Sequence, residues 1–510
     1  MTLTNDQETA LTRIVEWINN DTDTYLCSLI GPAGTGKTFL SELITKNSKY
    51  KFGVAVSAPT HKAKNVIRLV TGLEAVTVQA LCGLAPNTLL DNFDINNPKF
   101  ARRNEPQMGL YKLLLIDEAS MINTELFEFI KELAYRFKTK ILFIGDGYQV
   151  PPVGEAASPV FILSDYIFEL RQPVRQKPDN PLVFLANAIR CDITTLTSGF
   201  NTDEYAKFTE SAEHLVPGFN FLRVNNDRDD RGQLIREHLF RYICINHSMI
   251  YNQYGQGYEF TRDKKYFTDK VLSTFNAEQF KFDPNYARLC TFTNESVKEW
   301  NNIVRSAIIG TDEIITLNDL LMCYTTVSAG KGSEIVTNSQ EYEVVKLEHN
   351  DKDAIKSWQV QLQNTGNQEL TPWLNIVKPE SYDNFALLHE SMHYTARTQK
   401  GRAWVEYFKW RKNYLLLDSF NDYKTSPVAK YAKANNIVLK NLPKKDIDYG
   451  YVITTHKSQG STYSNSFVDG KNIAIRLKVG DEELRIKKIQ YFNLLYVALS
   501  RAKEKSIIYV

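Results

Sequence analysis

Cysteine is scarce in this sequence. The six residues, Cys27, Cys82, Cys191, Cys244, Cys290 and Cys323, stand at least 33 positions apart. That spacing excludes a CxxC zinc knuckle and a compact disulfide framework, and it predicts buried free thiols. Long apolar runs are missing too: LLLI at 113–116 is typical, far below the roughly 20 residues that span a bilayer. The N-terminus, MTLTNDQETA, has neither a basic stretch nor an apolar one, so no signal peptide is expected. An excess of one charge is also absent. Lys+Arg 61 against Asp+Glu 59 leaves +2, so bulk charge announces no nucleic-acid partner and any basic track must be local. There is no internal repeat and no low-complexity tract. Hydrophobic residues at 43% and charged residues at 24% describe a globular chain, and its length suggests roughly two to four domains.

Residues 25–30 (YLCSLI) read as a buried strand and run directly into GPAGTGKT, Gly31 to Thr38. Gly31, Gly36, Lys37 and Thr38 satisfy G-x-x-x-x-G-K-[ST]. In that pattern glycines let backbone N–H groups of Pro32-Ala33-Gly34-Thr35-Gly36 turn toward phosphate oxygens wherever an N–H exists. Lys37 supplies charge to the β- and γ-phosphates, and Thr38 offers a hydroxyl to Mg²⁺. The following FLSELITK has helical spacing, and a helix N-terminus favours anions. The implied cofactors are ATP and Mg²⁺.

A second apolar run, YKLLLI at 111–116, ends in Asp117-Glu118-Ala119-Ser120. An acid at the C-terminal end of such a strand faces the crevice where α/β sheets bind ligands. Asp117 is expected to orient the metal shell and Glu118 to act as general base. FGVAVS at 52–57 and ILFI at 141–144 continue the pattern. The expected fold class is α/β, with parallel sheets covered by helices on both faces.

The ordered set GPAGTGKT, APTHKAK, LLLIDEAS, GDGYQVPPVGE, ELRQPVRQ, FTNESVKEWNNIVR, THKSQGST and YVALSRA resembles superfamily 1B helicases of the RecD-like kind. The likeness extends from Gln7 to the last strand and is dense only at the motifs. It implies two RecA-like P-loop motor domains, at 1–84 with 111–178 and at 179–330 with 446–510. It also implies an inserted pin hairpin at 85–110 and an SH3-like accessory module at 331–445. Residues 200–285 read as an insertion without recognisable chemistry.

The resemblance also assigns roles. Gln7 would read adenine, and Gln149 would link the γ-phosphate to the bound strand, with Asp146 shaping its turn. Arg175 and Arg501 would be arginine fingers from the two motor domains, and Gly460 would lie at the nucleotide. The strand would be gripped by Pro59, Thr60, His61 and Lys62, then Thr77 and Gln79, and on the second domain by Thr293, Asn294, His456, Ser461 and Thr462. His61 suits base stacking or helix capping equally. Gln79 stands where the family often has histidine, which favours a hydrogen bond over stacking. Asn301 and Arg305 match motif positions, with helix packing an equal explanation. Phe100 in PKFARR, with Pro106, falls where a pin carries its wedge.

One pattern points elsewhere. His389-Glu390-Ser391-Met392-His393 is H-E-x-x-H, a zinc-protease signature. Its continuation lacks the further ligands, and these histidines read as polar positions on an accessory helix. The implied activity is 5′→3′ translocation on single-stranded DNA with unwinding of duplex or forked DNA. Expected further are monomeric action, a single-strand-binding protein as a candidate partner, no membrane association, and a cytoplasmic setting (the host's, for a phage-encoded chain). An RNA or RNA–DNA helicase, and a DNA-stimulated ATPase that remodels protein–DNA complexes without unwinding, are the competing readings.

Overall fold

The computed structural model describes the chain except residues 1–2, 60, 87–99, 103, 153–154, 156, 172–178, 199–207, 209–211, 213–214, 217–238, 331–332, 418–433, 435–444 and 475–480. Three six-stranded sheets dominate the described residues.

The first sheet is wholly parallel. Its spatial order is Glu74–Thr77, Val54–Ala58, Leu113–Ile116, Lys140–Gly145, Leu26–Ile30, Tyr166–Glu169. The central strands are continuous apolar runs because both faces are covered. Leu114, Ile116, Ile141 and Phe143 feed one core, while Leu113, Leu115, Leu142 and Ile144 feed the core on the opposite face. The first helix, Asn5–Asn19, starts at a capping box: Thr4 accepts from the Gln7 N–H, and the Gln7 side chain accepts from the Thr4 N–H.

The second sheet runs Val452–Thr454, Ala287–Thr291, Tyr463–Asp469, Ala502–Tyr509, Gly257–Thr261, Met249–Tyr251. All its pairings are parallel except the last. Gly257–Thr261 and Met249–Tyr251 thus correct the reading of 200–285 as an insertion. The C-terminal part of that stretch builds the sheet, and Phe267, Val271 and Phe275 of helix Lys264–Phe275 line its core. The strands were missed because they are short: MIY has three residues, and the alternation in GYEFT covers only Tyr258 to Thr261.

The third sheet is mainly antiparallel. Glu341–Asn350 pairs with Ser357–Asn364, as the alternation of their residues predicts. This sheet also takes in Leu320–Cys323 and Ile447–Tyr449, on either side of 331–445. A two-stranded antiparallel pair, Leu84–Pro86 with Phe100–Arg102, stands where the pin was expected; the segment between them lies outside the described residues.

Candidate functional site at the facing edges of two parallel sheets

Three neighbouring strands of the first sheet end on one edge. Leu26–Ile30 delivers the glycine loop, Lys140–Gly145 delivers Asp146, and Leu113–Ile116 delivers Asp117 and Glu118. Gly31 N–H donates to the Gly145 carbonyl at 3.1 Å, which ties the loop to its neighbour. A Cβ on Gly31 would lie 2.7 Å from Thr35 Oγ1 and 2.9 Å from the Leu170 carbonyl, so only glycine fits. Gly34 and Gly36 have φ of 86° and 80°, in the left-handed region. Gly36 caps helix Lys37–Asn47, aiming its first N–H groups into the loop.

Lys37 Nζ donates to the Gly31 and Pro32 carbonyls at 2.7 and 2.9 Å. Thr35 Oγ1 donates to the Pro32 carbonyl, and Gln7 Nε2 donates to the Thr35 carbonyl at 2.9 Å. Gln7 is buried and its amide braces the first helix against the loop. Thr38 is half-buried on the first turn of the helix.

Asp117 Oδ1 accepts from the Glu118 N–H at 2.8 Å, and Glu118 stands at φ 51°, a strained setting for a side chain. Burial raises the Asp117 carboxyl, against the pull of the Glu118 N–H and the Lys37 charge. Burial and then repulsion by Asp117 push Glu118 up to about 7, while Arg501 and Lys37 pull it back. A base poised near neutrality is what proton abstraction from water needs.

The second sheet faces this edge. Asp146 Oδ1 accepts from the Tyr148 N–H, and the Gln149 N–H donates to the Asp146 carbonyl, so Asp146 shapes the GDGYQ turn. Gln149 is buried, and its Oε1 accepts from Gln459 Nε2 at 3.3 Å. Helix Asp481–Ser500 lays Asn493 and Tyr496 on the same turn. Asn493 Nδ2 donates to the Tyr148 and Gln149 carbonyls at 2.7 and 3.0 Å. Tyr496 Oη donates to Asp146 Oδ2 at 2.9 Å and accepts from the Ala33 N–H at 3.3 Å. Arg190 lies 4.6 Å over the Tyr148 ring.

Arg501 is buried and turned into its own domain. Its Nε donates to the Val497 carbonyl, Nη1 to the Ser461 carbonyl and Nη2 to Ser500 Oγ. It is still near enough to lower the Glu118 carboxyl. Gly460 has φ 74°, and a Cβ added there would lie 3.5 Å from Glu118 Oε1. Arg175 lies outside the described residues.

The strand-contact candidates are more scattered. Pro59 is half-buried at the end of Val54–Ala58. Thr60 and the side chains of His61, Lys62 and Phe100 lie outside the described residues; His61 and Lys62 open helix His61–Thr71. Thr77 caps the short helix Val78–Leu81, and Gln79 is half-buried on it. Thr293 caps helix Asn294–Ile309 through the Ser296 N–H. Asn294 and His456 are exposed, Thr462 is half-buried and Ser461 buried. Asn301 and Arg305 resolve as packing residues. Asn301 Nδ2 donates to the Tyr449 and Val452 carbonyls, and Arg305 makes a two-pronged ion pair with Asp319 at 2.8 Å.

The H-E-x-x-H pair also needs correction. His389 and His393, read as polar positions on an accessory helix, do lie on a helix but are buried in its packed face. Phe385, His389 and His393 follow at i, i+4 and i+8, so they form the inner stripe of helix Tyr382–Gln399. That stripe packs on Trp404, Tyr407 and Trp410 of helix Arg402–Arg411. His389 Nε2 shares a 2.8 Å hydrogen bond with Tyr407 Oη. Among the described residues no cluster of three or more His, Cys, Asp or Glu could hold a metal. No described helix is long and apolar enough to cross a membrane.

Sequence reasoning missed Tyr496, Asn493 and Gln459, although Tyr496 and Gln459 lie inside quoted motifs. It also missed Asn472, whose Oδ1 accepts from the Phe292 and Thr293 N–H groups and from Thr291 Oγ1.

Fold and site define a P-loop nucleotide-binding protein with two RecA-like halves. Residues 2–196 match the family model AAA_30, an AAA domain. The ATP-dependent DNA helicase Dda of enterobacteria phage T4 is 25% identical over 62% of this chain and 62% of its own length, under two thirds of that relative. The uncharacterized protein R530 of Acanthamoeba polyphaga mimivirus is 23% identical over 98% of both chains. The Bacteroides Pif1 helicase solved with ADP-AlF3 and ssDNA aligns at 16% identity and TM-score 0.47, covering 99% of this chain and 92% of that one. The chain is thus similar to superfamily 1B, RecD-like helicases, Dda among them.

Proposed function

We propose that this protein is an ATP-dependent DNA helicase that translocates 5′→3′ on single-stranded DNA and opens duplex or forked DNA. The observation that carries the reading is the convergence of both halves on one nucleotide site. The glycine loop, Asp117, Glu118 and the Gln149 turn of the first half meet Gly460, Tyr496 and the Arg501 helix of the second. Hydrolysis at such a seam changes how the halves close, and a strand held by both would be ratcheted.

In this reading Lys37 exchanges its two carbonyl partners for phosphate oxygens. The Thr38 hydroxyl and Asp117 carboxylate are the hard oxygen donors that suit Mg²⁺, which would neutralise charge on the phosphates. Glu118 takes the proton of the attacking water, Gln149 senses the γ-phosphate, and Arg175 and Arg501 stabilise transition-state charge. Gln7 meets adenine with the second N–H of its Nε2 and the second lone pair of its Oε1, since Thr35 and Thr4 each engage one end of the amide. Pro59, Thr60, His61, Lys62, Thr77, Gln79, Thr293, Asn294, His456, Ser461 and Thr462 line the strand path, and Phe100 leads the pin. Resemblance alone supports the polarity, monomeric action, a single-strand-binding partner and a role in phage replication or recombination in host cytoplasm.

Partial duplexes with a 5′ or a 3′ single-stranded tail test this, with Lys37→Ala as control. The reading expects only the 5′-tailed duplex to open, and only with Lys37 present. Preference for the 3′ tail overturns the polarity. DNA-stimulated hydrolysis without unwinding moves the protein to the remodelling class, and Phe100→Ala separates the two, because it damages unwinding but spares hydrolysis only in a helicase.

A further inference from the structure

Helix Asp481–Ser500 ends at the residue before Arg501, and its Asn493 and Tyr496 lie three apart, on one face. That face makes four hydrogen bonds to the first half. Asn493 Nδ2 holds the Tyr148 and Gln149 carbonyls, and Tyr496 Oη joins Asp146 to the Ala33 N–H of the glycine loop. The Asn493 and Tyr496 side chains are buried, and the Tyr496 ring meets the Tyr148 ring edge-on at 6.2 Å. The Arg190 guanidinium, also from the second half, lies 4.6 Å over the Tyr148 ring. These contacts bridge 345 and 350 positions of sequence at Tyr148 and Asp146.

From this geometry we propose that Asn493 and Tyr496 are positioning residues, a socket for the Asp146–Gln149 turn that couples phosphate occupancy to domain closure. The inference rests on the nucleotide-driven motor proposed above and adds residues to it. The Tyr496 hydroxyl is bonded at once to the glycine loop and to the turn that carries Gln149. A phosphate that draws the Ala33 N–H or moves Gln149 must therefore disturb a bond to the second half. The same helix then shifts Arg501, which follows it directly. Rigid packing transmits such shifts because helices move as units.

The test uses the full chain with Tyr496→Phe and Asn493→Ala, which act on the same turn through different atoms. Fluorophores are placed at Phe52→Cys and Phe282→Cys, which are 91% and 85% exposed on the two halves. Steady-state hydrolysis on single-stranded DNA and the change in dye-pair distance with a non-hydrolysable ATP analogue are both read. Each variant should lower kcat about tenfold with KM within about twofold, as expected for a lost bond of transition-state geometry. Each should also shrink the nucleotide-dependent distance change at saturating nucleotide. Wild-type kcat with an intact distance change overturns the proposal, and so does a fall in kcat with the distance change preserved. If one variant fails to fold, the other decides. A wild-type chain that closes on nucleotide but opens no duplex sinks the helicase reading and leaves this inference to the distance measurement.

Discussion

A Cβ added at Gly460 would lie 3.5 Å from Glu118 Oε1, so the second half brings its backbone close beside the acid pair of the first. Gly460 also sits at φ 74°, where a Cβ is strained. Gly460→Ala is expected to cost about 1 kcal/mol of stability. It should lower ATP turnover about tenfold, because a strained turn no longer holds its place beside the base. Steady-state hydrolysis beside a thermal melt checks this. Full turnover with an unchanged melt would show that the close approach has no part in the chemistry.

Glu118 gives the hydrolysis a pH signature. Its carboxyl, raised to about 7 by burial and Asp117, must be ionised to accept a proton. kcat/KM for ATP should therefore climb as pH rises from 6 to 8, with an inflection near 7 set by the free enzyme. The stability sign is opposite. A carboxyl whose folded pKa lies above its unfolded value stabilises the fold at low pH, and that contribution is lost as pH rises through about 7. Glu118→Gln should thus abolish turnover and melt higher than wild type at pH 8. A wild-type rate flat across that range, or a Gln variant that melts lower, contradicts the assignment.

These two residues also show what a sequence displays and what it hides. GPAGTGKT and LLLIDEAS are visible because strand, turn and acid are contiguous, and buried parallel strands carry unbroken apolar runs such as ILFI at 141–144. Tyr496 is hidden, because its partners Asp146 and Ala33 lie 350 and 463 positions away and nothing local marks a tyrosine as a bridge. Met249–Tyr251 is hidden for another reason: three residues are too few to display a period, and only pairing with Gly257–Thr261 makes them a strand. His389 and His393 mislead because a polar residue in a helix predicts exposure, while the i, i+4 register with Phe385 decides the face.

Arg288 is fully buried, and its Nη2 lies 3.3 Å from Glu341 Oε1 at the start of the accessory hairpin. Tyr463 Oη donates to the same carboxylate oxygen at 2.9 Å, and the Tyr463 N–H donates to the Arg501 carbonyl. Glu341→Gln strips the charge from this pair and leaves a buried guanidinium uncompensated. The expected loss is about 3 kcal/mol in urea unfolding. A loss under about 1 kcal/mol would mean that the Gly450 and Pro284 carbonyls, which also accept from Arg288, suffice to hold it.

The histidine pair offers the last test. Both ring nitrogens of His393, and His389 Nδ1, are buried without a hydrogen-bond partner. Burial, with Arg397 nearby, pushes His393 down to about 4. Burial, Arg411 and His393 hold His389 well below the usual histidine value. A histidine depressed in the fold keeps full stability above its unfolded value near 6.5, and loses it as pH falls toward 4. His393→Leu removes two unsatisfied atoms from an aromatic pocket formed with Trp404 and Tyr407. It should stabilise the protein by about 1 kcal/mol at pH 7 and flatten the loss between pH 6.5 and 4. A zinc site would behave oppositely, because the Leu variant would lose a ligand and chelator would lower the wild-type melt. The Tyr407 hydroxyl already occupies His389 Nε2, so chelator should leave the melt unchanged. A Leu variant less stable than wild type at pH 7 would show that His393 has a partner worth more than the apolar contact.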